Sequence, residues 1–387
     1  MRDVFIIGTG QTPVGEHWDL GLRELGASAI RAALADAMLG YGDTETVDAL
    51  FVGNMLGGAI NGQENLGALL ADAADLLPAE AWKVEAACAS GGAAVRAAAL
   101  SVASGAHDVA VAVGIEKMTD AVSEQVTAGL ATASDGDYEA SHGLSFVALS
   151  ALLMRRYLYE TGAAREDFAP FAVSAHRNAA ANENAMFREP ITLEEFARSA
   201  MVASPIGVLD AAPVCDGAAA VVIGSRDALR AHHRAVRIAA AAAATDTIAL
   251  AGRADLLTLG AAKRSAEKAF AASGFRPRDF DLFEAHDAFT IITALSLEAC
   301  GFAPRGEALR RAAHGCFARG GCLPLSTFGG LKARGHPVGA SGAYQIVEAT
   351  AQLRREAGPN QVPGARVALT QAIGGHGSIA VTHVLEA

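Results

Sequence analysis

VEAACASGGAAVRAAA, residues 84–99, decides the architecture. A strand-like run over Ala81–Ala86 ends, the chain turns sharply, and a helix of small residues starts at or just after Cys88. Small residues let a helix lie buried on all sides between two sheets, because backbones can approach without side chains intervening. A second stretch repeats this order. Gly339 is followed by Ala340-Ser341-Gly342, a helical stretch and the strand Val367–Ile373, as Cys88 is followed by Ala89-Ser90-Gly91, a helix and the strand Val109–Gly114.

An earlier pair repeats as well. LGYGDTETVDALFVGN (residues 39–54) and SGFRPRDFDLFEAHD (residues 273–287) each carry a helix-ending glycine, a polar turn, an acidic residue and a short apolar run. Asp48 and Asp281 are the equivalent acids. Repeats of this kind are the signature of duplicated units. Each half alternates strand-like and helical runs, which predicts an α/β fold of two mostly parallel sheets with helices. A pseudo-twofold would bring Cys88 face to face with the 336–342 loop. Residues 119–203 break the pattern, with polar turns at Ala133–Ala140 and helical patterns over Leu144–Glu160 and Ala172–Asn184. They form an inserted loop and helical region, and the strand Ala218–Gly224 completes the first half. The expected division is 1–118 with 204–235, then 119–203, then 236–387.

Composition agrees with a large buried core: 51% of the 387 residues are hydrophobic and 19% charged. A net charge of -11 without a Lys/Arg cluster argues against nucleic-acid binding. Val109–Ile115 and Ile238–Ala244 are too short to span a bilayer, and the apolar run Val4–Ile7 is too short for a signal-peptide core. The expectation is a cytoplasmic protein. Five cysteines without an export signal argue against a disulfide framework. His314, Cys316 and Cys322 lack zinc-site spacing, and no metal is expected.

A thiol at a helix N-terminus faces free N–H groups and a partial positive charge, which ease its ionisation to the reactive thiolate. Taken alone, Cys88 reads more readily as a buried structural cysteine. The other motifs tip the balance. VEAACASGGAA, GIEKMTD (114–120), SPIGVLDAAPVCDGAAAVV (204–222), GGLKARGHPVGASGA (329–343) and QAIGGHGS (371–378) together resemble the thiolase family over most of the chain. EAHDAFT (284–290) is similar to the branch of sterol-carrier-protein-type thiolases, archaeal and bacterial members included.

The resemblance implies the duplicated five-layer αβαβα thiolase fold and an acyltransferase that carries its acyl group on Cys88. His336 of Gly-His-Pro would take the thiol proton and join His286 in an oxyanion site. The Gly374 N–H would join that of Cys88 in a second oxyanion hole, and Asp287 would orient nearby groups. The substrate would be a coenzyme A thioester, with no permanently bound cofactor. The family has a second cysteine, as acid/base, at the position of Ala372 or, in the sterol-carrier branch, of Ala288. Its absence leaves His376 and His142 as acid/base candidates, and ordinary loop positions as the alternative reading of each. Arg177 and Arg188 are candidates for the CoA phosphates. A homodimer or dimer of dimers is implied, with a small zinc-ribbon and OB-fold partner that holds acyl-CoA. Three other functions share the sequence features: C-acylation of a non-CoA acceptor, a lyase that has lost thiolase chemistry, and a catalytically poor scaffold.

Overall fold

The computed structural model describes residues 2–39 and 46–387. The polar turn of the first repeat, residues 40–45, lies outside the described residues.

The N-terminal half contains β1 (Val4–Gln11), α1 (Leu22–Asp36), β2 (Ala49–Gly53), α2 (Gly57–Asn61), α3 (Leu66–Ala73), β3 (Glu80–Val84), α4 (Ser90–Ser104) and β4 (Val109–Glu116). The inserted region follows with α5 (Ser123–Ala131), α6 (Phe146–Thr161), α7 (Ala169–Ala179), α8 (Leu193–Arg198) and a small ribbon of β5 (Met201–Ala203) and β6 (Ile206–Gly207). α6 and α7 fall on the helical patterns over Leu144–Glu160 and Ala172–Asn184; α5, α8 and the ribbon are additional. β7 (Gly217–Ser225) closes the first half. The second half contains β8 (Val236–Thr245), α9 (Gly260–Ser273), β9 (Leu282–Glu284), α10 (Thr290–Ala299), α11 (Ala308–Ala313), α12 (Ser341–Leu353), β10 (Val367–Gly374) and β11 (Ile379–Glu386).

Strand order is β3-β2-β4-β7-β1-β8-β11-β10-β9. β1, β2, β3 and β4 run one way and β7 the other; β8, β9 and β10 run one way and β11 the other. Each half is thus mostly parallel in direction, with one antiparallel strand inserted before its last member. The half-sheets are joined at one edge, because Phe5 and Ile6 of β1 pair with Arg237 and Val236 of β8. The two sheets expected from sequence are present as half-sheets, joined into one nine-stranded hydrogen-bonded order by this short pairing. α1 covers β1 and β7 on one outer face, α9 covers β8 and β11 on the other, and α4 and α12 lie between the halves. This is the five-layer order.

The two acids of the repeat make equivalent hydrogen bonds. Asp48 accepts from the amides of Asp108 and Val109 at 2.8 and 2.9 Å, and Asp281 accepts from those of Arg366 and Val367 at the same distances. Each acid ties the entry of its own strand to the start of the next one in the sheet. β4, β7 and β10 are buried at every position, so they read as mostly apolar runs rather than alternating ones, with polar exceptions in Thr370-Gln371 inside β10 and Glu116 at the end of β4. α12 is buried almost throughout, and α4 meets it through glycine: a Cβ on Gly342 would lie 2.4 Å from the Gly92 nitrogen, and one on Gly91 would lie 2.7 Å from the Gly339 oxygen. That contact lets the starts of both central helices converge on one point.

Candidate active site

Cys88 stands on the turn between β3 and α4. Ala87 has φ +50, a left-handed conformation unusual for alanine, and the Ser90 hydroxyl closes the turn. Its Oγ accepts from the Ala86 amide at 2.9 Å and donates to the Ala87 carbonyl at 2.6 Å. From the other half, the chain makes a wide helical turn over Gly330–Arg334 and then passes Gly335 at φ +117. A Cβ on Gly335 would lie 2.5 Å from Val14 and 3.0 Å from Cys215 Sγ, so glycine is required there on both grounds. His336 follows. Its Nδ1 lies 2.7 Å from Ser341 Oγ, whose proton is directed 3.1 Å to the Pro337 carbonyl. Ser341 therefore accepts from Nδ1–H, which leaves the lone pair on Nε2. That Nε2 is buried without a partner.

The duplicated halves bring their equivalent loops together as the repeat requires. Cys88 Sγ and one ring nitrogen from each of His286 and His336 lie within 4.8 Å of one another. The two rings are 5.2 Å apart, nearly perpendicular. All three residues are buried. Cys88 and His336 border an apolar cavity of about 120 Å³ walled by Met118, Leu130, Phe146, Ala288, Phe289 and Val338; His286 lies outside its lining. Leu130 and Phe146 come from the insert, which closes the cavity on that side. Among the described residues this is the only trio of Cys, His or acidic side chains close enough to share a metal ion. It offers a soft N, N, S set with no carboxylate.

Electrostatics corrects one expectation. The Cys88 thiol is pushed up to about 12, mainly by burial and then by the Glu116 carboxylate; its own amide and that of Gly375 pull the other way and do not prevail. The resting group is a neutral thiol, because the helix N-terminus cannot offset removal from water. Burial, with the positive charge of Arg334, holds His286 down at about 3; His336 is held well below the usual histidine range by burial, His286 and Arg334. Both rings are neutral, so His336 Nε2 is a free acceptor.

The remaining sequence candidates divide. The amide that reaches the Cys88 sulfur is that of Gly375, one residue beyond Gly374. Gly374 ends β10 in tight contact with the Ala86 carbonyl, where a Cβ would lie at 2.3 Å. Asp287 is buried and accepts from the Leu331 amide at 2.7 Å, so it secures the turn that leads to His336. His376 is not part of the trio. Its Nε2 contacts the Phe146 carbonyl at 2.9 Å and Ser150 Oγ at 3.2 Å, tying the glycine loop to α6. His142 is exposed on a short turn of the insert, and Arg177 and Arg188 are exposed too. Ala288 lines the Cys88 cavity. Ala372 packs instead with Ala86, Ala89 and Val381.

Glu116 escaped the sequence reading. Fully buried, its carboxylate accepts from Asn54 Nδ2 and from the amides of Met55, Leu56 and Gly339, at 2.7 to 3.0 Å. It fastens the N-terminal half to the loop that carries His336. The available signal was an acid closing an otherwise apolar strand, GIE in residues 114–116.

Two helix-covered half-sheets with the same order of elements, and a cysteine from one half beside two histidines from the other, define a thiolase-like centre. Residues 4–227 match the family model "Thiolase, N-terminal domain" and residues 242–387 match "Thiolase C-terminal domain-like", and the chain belongs to the thiolase family. It is 43% identical to an acetyl-CoA acetyltransferase of Methanothermobacter thermautotrophicus over 385 residues, 99% of each chain. It is 30% identical to sterol carrier protein 2 of Bos taurus over 98% of this chain and 71% of that one. Among solved structures it is similar to an Ltp2-ChsH2(DUF35) aldolase, at a TM-score of 0.86 and 27% identity, covering 100% of this chain and 98% of that one. Among the described residues no helix is long and apolar enough to cross a membrane.

Proposed function

We propose that this chain is an acyl-CoA C-acyltransferase that works through an acyl-enzyme on Cys88. The observation that carries the proposal is the convergence of the Cys88 thiol with a ring nitrogen of His336, whose Nε2 has no other partner, at one buried cavity. A neutral thiol beside a neutral imidazole suits proton transfer in step with attack. His336 takes the thiol proton as sulfur bonds to the thioester carbonyl. The oxyanion is received by the Cys88 amide with the Gly374–Gly375 turn. The C–S bond to CoA then breaks, and the CoA sulfur leaves with the proton from His336. In the second stage a base removes a proton from the incoming acyl group, and the resulting enolate attacks the acyl-enzyme carbonyl to form the new C–C bond and free the Cys88 sulfur. With alanine at 288 and 372, the bases beside Cys88 are His286 and His336. Run backwards, the sequence is thiolytic cleavage of a β-ketoacyl-CoA.

The experiment is intact-mass measurement after incubation with acetyl-CoA and longer acyl-CoAs. One acyl group should be added per chain in the wild type and none in Cys88→Ala. Acetoacetyl-CoA turnover at the wild-type rate in Cys88→Ala would sink the mechanism.

A second reading has support in the two alanines and in the similarity to a protein named as an aldolase. Without a second cysteine, the same cavity suits aldol-type C–C cleavage of a β-hydroxyacyl-CoA, in which no acyl group rests on Cys88. The same mass measurement separates the two. The coenzyme A thioester is substrate in either case, within acyl-chain metabolism. The wider reading is a cytoplasmic homodimer. Its association with a small zinc-ribbon and OB-fold chain is supported by the DUF35 component in that aldolase's name. Full activity from the single purified polypeptide would count against the association.

A further inference from the structure

A second cavity, of about 270 Å³, lies between α7 of the insert and the Ser326–Lys332 turn, with Asp287 in its lining. It shares no lining residue with the cysteine cavity. Phe171, Ala175, Ala312, Phe317 and Leu325 supply apolar walls. Two polar side chains among these walls have unused capacity. Lys332 is buried at 3% exposure, and among the described residues no acceptor lies within hydrogen-bond or ion-pair reach of its Nζ. Ser326 is buried at 2%, and its Oγ also has no partner. Exposed Arg177 lines the cavity too. The one carboxylate in the lining, Asp287, is taken up by the backbone amides of Leu331 and Lys332.

A largely buried ammonium with no protein acceptor in reach keeps capacity for an anion or water that enters the cavity. Burial lowers this amine to about 8, and the charges of Asp287 and Asp210 resist that, so it keeps its proton at neutral pH. Two donors close in sequence, one charged and one a hydroxyl, match the two oxygens of a carboxylate better than the four of a phosphate. Aromatic and aliphatic walls match a short hydrocarbon tail. We propose that this cavity binds a small monocarboxylate, its head on Lys332 and Ser326 and its tail between Phe171 and Phe317. The site is separate from the acyl-transfer centre, and its occupancy can be read without turnover.

The test is calorimetric titration of the full chain with sodium butyrate and, separately, inorganic phosphate, in a zwitterionic buffer. Cys88→Ala is titrated alongside the wild type to remove acyl chemistry from the reading. Saturable one-to-one butyrate binding is expected in both. Lys332→Met should weaken it at least about tenfold, Lys332→Arg should retain most of it, and Ser326→Ala should fall between. If Lys332→Met does not fold, Ser326→Ala and Phe171→Ala decide by the same titration. The proposal is overturned if butyrate gives no saturable signal, if phosphate alone binds, or if folded variants bind butyrate as the wild type does. Because the readout is binding, failure here leaves the Cys88 proposal standing, and failure of acyl loading leaves this one standing.

Discussion

Cys88 and His336 are each ordinary residues made useful by their surroundings. With the thiol at about 12 and the imidazole neutral, reactivity depends on proton transfer between them and not on a stored thiolate. Iodoacetamide should therefore modify resting Cys88 slowly at pH 7. The rate should rise about tenfold per pH unit through pH 10, because the thiolate fraction grows by that factor while pH stays below the thiol value. A plateau by pH 8 would mean that burial does not control the group. His336→Ala should lower kcat by roughly 10²–10⁴-fold, the usual worth of a positioned general base. Ser341→Ala leaves the imidazole in place but frees Nδ1, so Nε2 is no longer held as the acceptor. The expected result is a smaller fall in kcat with KM little changed and a displaced pH–rate profile. A parallel loss of fold by circular dichroism would assign Ser341 a structural role instead.

At the scale of elements, the site exists because α4 and α12 touch through glycine. Alanine at 342 would drive its Cβ to within 2.4 Å of the Gly92 nitrogen, which only a shift of one central helix can relieve. Gly342→Ala should cost at least about 1–3 kcal/mol, the range for overpacking, and should reduce acyl loading in the same variant because the Cys88 and His336 turns move apart. Chemical denaturation and adduct mass measure the two effects. Unchanged stability would show that the helices have room to separate. The end of β4 is held by a different device. Asp216, fully buried, accepts from Lys117 Nζ at 2.8 Å and from the amides of Met118 and Thr119. Asp216→Ala leaves the Lys117 ammonium with the half-exposed Asp120 as its remaining carboxylate and a long contact to Thr119 Oγ1, and a loss of about 3–5 kcal/mol is expected. The Asp216 carboxyl is held below its usual value in the fold, by Lys117 and by Thr119 and Met118 against the pull of burial. Its contribution is therefore present above the unfolded carboxylate value and lost as pH falls through the folded one.

At the scale of the molecule, the duplicated chain closes on itself through one short β1–β8 pairing and through central helices drawn from both halves. Much of this was legible in the sequence. The Ala-Ser-Gly units, the acids Asp48 and Asp281 and the mostly apolar strands carry local patterns that survive folding, and they set the layers, the repeat and the facing of position 88 by position 336. β8 was not legible as a strand: its alanine-rich run has weak strand propensity and takes its conformation from the sheet on either side. Composition and spacing likewise established a large, acidic, core-rich α/β chain with a cysteine on a strand-to-helix turn. Only the tertiary structure decided the ionisation of that cysteine, the tautomer of His336, the clamp at Glu116 and the removal of His376 from the centre. Each of these depends on how much water is excluded and which atoms stand within about 3 Å, and residues far apart in the chain supply both.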